Sequence, residues 1–105
     1  MLRRSQVADG PPALRVGHLH VEAGQFVASA HGRPLDLRPQ EFRLLRVLAS
    51  HAGLVFSREQ LMDLAWQHTV VPSTVDAHIC RLRRKVADAN VRIESVWGRG
   101  CRLII

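Results

Sequence analysis

One segment, TVDAHICRLRRKV from Thr74 to Val86, constrains this chain most, because it combines a regular apolar spacing with dense positive charge. When the segment is placed on a helix of about 100° per residue, its large apolar side chains fall within about 60° of one another. These side chains are Val75, Ile79, Leu82 and Val86. We therefore predict a helix over residues 73–89 that buries this stripe against a core.

The opposite side of the predicted helix is basic, and its centre is made of small residues. It carries Ser73, Ala77, Cys80, Arg81 and Arg84, while Thr74, His78 and Lys85 lie along one edge and Arg83 along the other. Small residues at the crest let a helix enter a DNA major groove closely, and long cations reach phosphates and guanine edges. For an isolated run of charges, a solvated helix face is the simpler interpretation. Features elsewhere in the chain therefore have to decide between a solvated face and a DNA-binding face.

The charge of the whole chain favours an acidic partner. The 105 residues fit one small domain, and 47% of them are hydrophobic, which is enough for a core. The net charge of +6 and the isoelectric point of 11.2 predict binding to nucleic acid or to an anionic membrane surface. From residue 73 onward, seven cations against three acids leave +4 of this +6, so the excess is concentrated in the last third.

Cysteine content and hydropathy bear on the compartment. Cys80 and Cys101 are too few for a disulfide framework or a zinc site, which favours free thiols in a reducing cytoplasm. No apolar run approaches the roughly 18 residues of a membrane span. The first residues, MLRRSQVADGPPALR, contain no apolar signal core. We expect a cytoplasmic protein that does not enter a membrane.

The part of the chain before residue 38 predicts a linker followed by a small sheet. Residues 1–13 are polar and end in DGPP, which favours extended, irregular backbone. Between residues 14 and 37, short alternating runs separated by glycine predict three or four antiparallel strands. The apolar positions expected to be buried there are Leu14, Val16, Leu19 and Val21.

Two helices are predicted before the basic one. RPQEFRLLRVLASHAG has Pro39 in its first turn, Gly53 as a left-handed stop, and an apolar stripe of Phe42, Leu44, Leu45, Leu48 and Ala49. FSREQLMDLAWQ opens with the capping box of Ser57 and Gln60. Its predicted core stripe is Leu61, Leu64 and Ala65, with Trp66 near the end of a short helix.

The last segment, VRIESVWGRGCRLII, predicts a β-hairpin whose two strands are joined by GRG. Arg99 lies at the tip of this hairpin, where a cation can reach a second groove or the phosphate backbone. A two-helix unit, a basic helix and a basic hairpin together form one coherent nucleic-acid surface, which makes a merely solvated charge run the weaker interpretation.

Three motifs, by their order and spacing along the chain, resemble those of the winged helix-turn-helix effector domain of OmpR/PhoB-type bacterial response regulators. The motifs are RPQEFRLLRVLASHAGLVFSREQL, STVDAHICRLRRKV and VWGRGCRLI. The resemblance extends over residues 14–105. It implies an α+β fold, a winged helix-turn-helix with an N-terminal four-stranded antiparallel sheet, three helices and a C-terminal β-hairpin wing.

The resemblance also implies a function and partners. It implies sequence-specific binding of double-stranded DNA that controls transcription in a two-component system, with the helix over 73–89 in the major groove and the wing over 93–105 at the minor groove. The implied partners are direct-repeat DNA bound by a head-to-tail dimer, an N-terminal receiver domain, and RNA polymerase, which often meets the loop corresponding to QHTVVP. LRRS at residues 2–5 resembles the end of a receiver's last helix, so residues 1–13 are interpreted as a receiver tail and linker. The isolated domain is expected to be a monomer, and no cofactor is expected.

Site residues can be carried over position by position. Thr74 and Arg83 match positions that usually bind phosphate, and His78 and Arg81 match groove-contacting positions. Trp66 matches an aromatic residue that packs near the helix-turn-helix, and Ser95 matches a wing hydroxyl. The full predicted DNA-binding set is Ser73, Thr74, Ala77, His78, Arg81, Arg83, Arg84, Lys85, Trp66, Ser95 and Arg99.

Four positions depart from the family's usual pattern. Ser73, Cys80 and Trp97 stand where the family commonly has Arg, and Cys101 stands where it commonly has Tyr. These departures weaken or remove four usual backbone contacts. Arg84, Arg99 and Arg102 are expected to compensate in part.

Other classes of function have less support. His18 and His20 share a strand face and with His31 suggest a metal site, but no third ligand has convincing spacing. Cys80 among arginines suggests a redox switch, although a small crest residue is the simpler interpretation. The sequence has no nucleophile paired with a base at a recognisable spacing, so an enzyme has little support. It also has no exposed aromatic platform for base stacking, so an RNA binder has little support. The main alternative is a winged-helix module that docks an acidic protein and binds DNA only weakly and without specificity.

Overall fold

The described part of the chain begins with a four-stranded antiparallel sheet. The computed structural model describes residues 13–22, 24, 27–66 and 70–105, so the receiver tail and linker predicted over residues 1–13 lie outside this part except for Ala13. The strands, in spatial order, are β1 Ala13–Val16, β2 Leu19–Glu22, β3 Val27–Ala30 and β4 Arg33–Pro34. β1 therefore starts one residue before the predicted boundary at residue 14.

Alternation along the strands fixes which face of this sheet is buried. Leu14 pairs with Val21, and Val16 pairs with Leu19, so the apolar side chains of β1 and β2 share one face. Val16, Leu19 and Val21 are buried as predicted, and Leu14 is half-buried.

Three helices follow the sheet: α1 Pro39–Ser50, α2 Arg58–Ala65 and α3 Pro72–Lys85. The predicted capping box of α2 is confirmed, because Ser57 Oγ accepts from the Gln60 backbone N–H at 3.1 Å and Gln60 Oε1 accepts from the Ser57 N–H at 2.9 Å. α1 begins at Pro39, and Gly53 beyond its end has a positive φ of 89°. Among the described residues, no helix is both long and apolar enough to cross a bilayer.

The third helix is shorter than predicted. It ends at Lys85 rather than at residue 89, because Val86 leaves the helical conformation with φ −95° and ψ 0°. A separate 3₁₀ turn, Ala87–Ala89, follows, and Asn90 ends it in the left-handed region. A continuing α-helix would keep Ala89 on the buried stripe but carry Val91 to the opposite side, whereas here both residues are buried in the core.

The prediction that Leu64 belongs to the core is wrong. Its side chain is 60% exposed, whereas Leu61 and Ala65 are buried. On a helix, Leu64 lies roughly 100° from Ala65 and so at the edge of the stripe that Leu61 and Ala65 define. A helix of only eight residues buries a narrow strip against α1 and α3, and Leu64 falls outside it.

The C-terminal hairpin consists of β5 Arg92–Val96 and β6 Gly100–Ile104. Its turn is Trp97 to Arg99, so the predicted turn at residues 98–100 is shifted by one position. Gly100 belongs to β6, where φ is 134° and where any Cβ would overlap the carbonyl of Phe56. Phe56 and Cys101 exchange two backbone hydrogen bonds of 2.8 and 3.0 Å, which attach the hairpin to the segment between α1 and α2.

All parts of the fold contribute to one apolar core. The predicted stripe of α1 is buried throughout, and so is the stripe of α3 formed by Val75, Ile79, Leu82 and Val86. Side chains of both sheets complete the core, among them Leu19, Val21 and Leu103. The predicted α+β winged helix-turn-helix architecture is confirmed.

Candidate nucleic-acid interface

Burial of its apolar stripe orients α3 and exposes the opposite face. Ser73, Ala77, Cys80, Arg81 and Arg84 are all exposed, as the periodicity predicts. The centre of this face therefore consists of the small side chains of Ala77 and Cys80, and cations lie beside them. A groove of DNA could meet this centre without steric obstruction while the guanidinium groups reach outward.

Trp66, Thr74 and His78 form a packed edge beside this face. The ring of Trp66 meets that of His78 edge to face, with centroids 5.3 Å apart, and His78 Nδ1 donates to the Thr74 carbonyl at 2.8 Å. Only 7% of Trp66 is exposed. The structure thus places Trp66 behind His78, where it orients the imidazole and helps to hold α2 against α3.

Arg83 joins α3 to the wing. Its Nε donates to the carbonyl of Ile93 at 3.0 Å, and its Nη2 donates to Ser95 Oγ at 2.9 Å. Two donors of one planar group fix the direction of the guanidinium. The arrangement brings Arg83 and Ser95 together and ties the basic helix to strand β5.

Lys85 is not brought together with the other predicted contact residues. Its Nζ lies 2.7 Å from Oε1 of Glu41, whose side chain has no exposed surface. Burial alone would raise the pKa of Glu41, but the hydrogen bond from Lys85 and that from the Arg38 backbone N–H outweigh it, so the pKa is lowered. The ammonium group of Lys85 is therefore directed into the domain, and its role toward DNA stays a prediction.

Asp76, on the edge of α3, forms a local ion pair with Arg58 at the start of α2. Arg58 Nε lies 3.0 Å from Asp76 Oδ1, and both side chains are more than half exposed. An exposed pair of this kind contributes at most about 1 kcal/mol. Its consequence is local, because it places the start of α2 against α3.

The wing tip presents two exposed side chains, Trp97 and Arg99. Arg99 was predicted to lie at the tip, whereas Trp97 was predicted only as a departure from the family's usual Arg and not as a contact residue. A cleft of about 480 Å³ separates the wing from the beginnings of α2 and α3. Its walls include Arg58, Asp76, Ser95 and Trp97.

His18 and His31 lie in turns beside β2, which carries His20, and these histidines do not form a metal cluster. The rings of His18 and His31 stack with centroids 4.3 Å apart, and His31 Nε2 donates to the Asp88 carbonyl at 2.7 Å. His20 lies 3.6 Å from Glu22. Within the described residues, no three His, Cys, Asp or Glu side chains are grouped as metal ligands would be. The contacts of His31 instead connect the sheet to the 3₁₀ turn after α3.

The two cysteines lie in different environments. Cys80 is exposed on the basic face, and Cys101, in strand β6 of the wing, is buried. Burial raises the pKa of the Cys101 thiol.

Helix α3 buries an apolar stripe and exposes a basic face, and it is attached to a hairpin that carries an exposed cation. These features are those of the winged-helix class of nucleic-acid-binding domain. Comparison with known proteins agrees with this class and narrows it. The family model described as "Transcriptional regulatory protein, C terminal" matches residues 32–103. This chain belongs to that family, which contains the effector domains of OmpR/PhoB-type response regulators.

Individual relatives show how far the similarity extends. The transcriptional regulatory protein BaeR of Escherichia coli O6:H1 is 43% identical over 89 residues, which cover 80% of this chain and 37% of BaeR. The crystal structure of the DNA-binding domain of E. coli CpxR is similar with a TM-score of 0.79 and 35% identity, over 90% of this chain and 97% of that domain. The response regulator DrrB of Thermotoga maritima, an OmpR/PhoB homologue, gives a TM-score of 0.81 and 30% identity, over 94% of this chain and 47% of DrrB. The chain thus spans less than half the length of BaeR and DrrB.

Proposed function

We propose that this chain binds specific double-stranded DNA and controls transcription as the effector domain of a two-component response regulator. The observation that carries the proposal is the geometry of α3, whose apolar stripe is buried while Ala77, Cys80, Arg81 and Arg84 are exposed on the other side. A helix of this form supplies both the close approach and the cations that reading a major groove requires.

The wing extends the proposed surface. Because Arg83 holds β5 through Ile93 and Ser95, DNA that meets α3 also meets the hairpin that carries Arg99. We assign Arg81 and Arg84 to the groove and its phosphates, and Arg99 to the neighbouring backbone or minor groove. The similarity to a domain whose structure is described as DNA-binding, that of CpxR, supports this assignment.

The wider setting follows from the family. We propose that residues 1–13 lead from a receiver domain, that two copies bind direct repeats head to tail, and that the isolated domain is monomeric off DNA. A cytoplasmic location, a contact with RNA polymerase and the lack of any catalytic role belong to the same proposal.

The competing function is a module whose basic face docks an acidic protein. Binding-site selection from a pool of random duplexes separates the two functions. At about 150 mM salt, non-specific backbone binding is suppressed. We expect enrichment of two short direct repeats spaced about one helical turn apart. No enrichment, together with binding that disappears as salt rises, would favour the protein-docking module.

A further inference from the structure

The indole of Trp97 is the most exposed large apolar group in the described part of the chain. It is 97% exposed, whereas the other tryptophan, Trp66, is 7% exposed. Tryptophan side chains are highly buried on average, because their apolar area is large. A full indole in water therefore marks a contact surface more strongly than a scattered Leu or Val does.

The exposure of Trp97 is imposed by a well-supported turn. The hairpin is held next to its turn by the two hydrogen bonds between Phe56 and Cys101, and the close approach of Gly100 to the Phe56 carbonyl leaves no room for a sideways shift. Within the turn, the Arg99 backbone N–H donates to the Val96 carbonyl at 2.9 Å. The hairpin thus displays Trp97 at a fixed place instead of folding it into the core.

That place adjoins the proposed DNA-binding helix. Trp97 and Ser95 line one wall of the cleft whose opposite wall includes Val75 and Asp76 of α3. Ser95 is itself bonded to Arg83 of the same helix. A partner that occupies the exposed face of α3 therefore comes within reach of the indole.

The neighbouring charge identifies the chemistry of the partner. Arg99 is exposed two residues away on the same turn, and the last third of the chain has a net charge of +4. An exposed ring beside a guanidinium group fits a partner that offers both apolar ring faces and phosphates. Nucleotides in DNA do so, and aromatic or other apolar side chains in DNA-binding proteins pack against bases and sugars or enter base steps.

We infer that Trp97 binds DNA through an apolar contact of its indole with the sugars and bases next to the site of α3. This inference rests on the proposed function and adds to it a contact of a different physical kind. Arg99 would attract DNA by charge, and Trp97 would hold it by removing apolar surface from water. Loss of an aromatic contact of this kind is expected to weaken binding by about 10-fold.

Salt dependence distinguishes these two contributions. We would measure the affinity of the wild-type chain, Trp97→Ala and Arg99→Ala for the most enriched duplex of the selection, over a range of salt concentrations. Trp97→Ala should weaken binding about 10-fold at every salt concentration and leave the slope of log affinity against log salt unchanged. Arg99→Ala should reduce that slope by about one unit, as expected for one lost phosphate contact.

Fluorescence quenching gives a direct readout of the contact. Because Trp66 is buried, acrylamide should quench mainly Trp97, and Trp97→Phe supplies the residual signal of Trp66 for subtraction. Adding the duplex should shield Trp97 from acrylamide. Thermal unfolding of Trp97→Ala should match that of the wild type, since the side chain has no packing to lose.

The outcomes separate the inference from the function on which it rests. Unchanged affinity of Trp97→Ala, or a Trp97 that stays accessible in the complex, overturns the inference alone. Shielding that grows with protein concentration and without DNA also overturns it, because the indole would then contact a second copy. If the wild-type chain binds no duplex at all, the proposed function and the inference fall together.

Discussion

The ammonium nitrogen of Lys85, the last residue of α3, lies 2.7 Å from Oε1 of Glu41 in the first turn of α1. The same carboxylate oxygen accepts the backbone N–H of Arg38 at 3.0 Å. One fully buried carboxylate thus caps α1 and anchors the C-terminal end of the basic helix. The pair directs the half-buried Lys85, one cation of the RLRRK run, toward a buried carboxylate instead of toward solvent.

Replacing Lys85 by methionine should therefore destabilise the fold more than it affects DNA binding. The substitution keeps an aliphatic chain and leaves the buried Glu41 carboxylate without its charged partner, which should cost about 1–3 kcal/mol. Urea unfolding measures this loss. The salt slope of DNA binding should stay at the wild-type value. A salt slope reduced by one unit, with an unchanged free energy of unfolding, would show that Lys85 instead binds a DNA phosphate.

The Glu41 carboxylate should also give the domain a pH-dependent stability. Its pKa in the folded state is lowered below the ordinary value of 4.5, so the unfolded state binds more protons in this range. The stabilisation is complete above that ordinary value and is lost as the pH falls through the lower folded pKa. Unfolding free energies measured across this acidic range should therefore fall more steeply for the wild type than for Glu41→Gln. Parallel curves for the two proteins would show that Glu41 does not contribute in this way.

Gly100 should be irreplaceable in the wing, whereas Gly98 should not. Both have positive φ, but a Cβ at Gly100 would overlap the Phe56 carbonyl, while the space around Gly98 is open. Gly98→Ala should cost about 1–2 kcal/mol for the left-handed backbone alone. Gly100→Ala should cost at least about 3 kcal/mol or displace the wing, because strain and overlap add. Equal unfolding free energies for the two variants would contradict this account of how the wing is attached.

The two thiols should react at very different rates, and DNA should protect only one of them. Cys80 is exposed on the proposed DNA-binding face, while Cys101 is buried and its pKa is raised by that burial. Labelling with a thiol reagent should modify Cys80 quickly and Cys101 only on unfolding. Binding the selected duplex should slow the labelling of Cys80. Unchanged labelling in a saturated complex would place the DNA elsewhere on the domain.

What the sequence could reveal about this domain depends on how local each feature is. The buried stripe of α3 and the capping box of Ser57 and Gln60 are set by spacings of three or four residues, and both are predicted correctly. Glu41 and Lys85 are 44 positions apart in the sequence, and no local sequence pattern predicts their ion pair. The same limit explains the partner of Asp76, because its pairing with Arg58 depends on how α2 packs against α3.

The errors at the wing and in α2 have the same origin. GRG suggested a turn at residues 98–100, but contact with Phe56 requires glycine at position 100 within β6, so the turn includes Trp97. Leu64 is compatible with an apolar stripe on the helical wheel, yet the neighbours of α2 cover only the strip around Leu61 and Ala65. In both cases the local sequence pattern allows more than one arrangement, and tertiary packing determines which one forms.

The central claim is that the exposed face of α3 reads DNA sequence, and Arg81→Ala tests it most directly. Arg92→Ala is the matched control, since it removes the same charge from an exposed position at the end of the hairpin opposite its tip. Binding of each variant would be measured by fluorescence anisotropy on the selected duplex and on a random duplex of equal length. Arg81→Ala should lose about 1–3 kcal/mol on the selected duplex and much less on the random one, while Arg92→Ala stays close to the wild type on both. Equal losses for Arg81→Ala on both duplexes, or none on either, would contradict the claim.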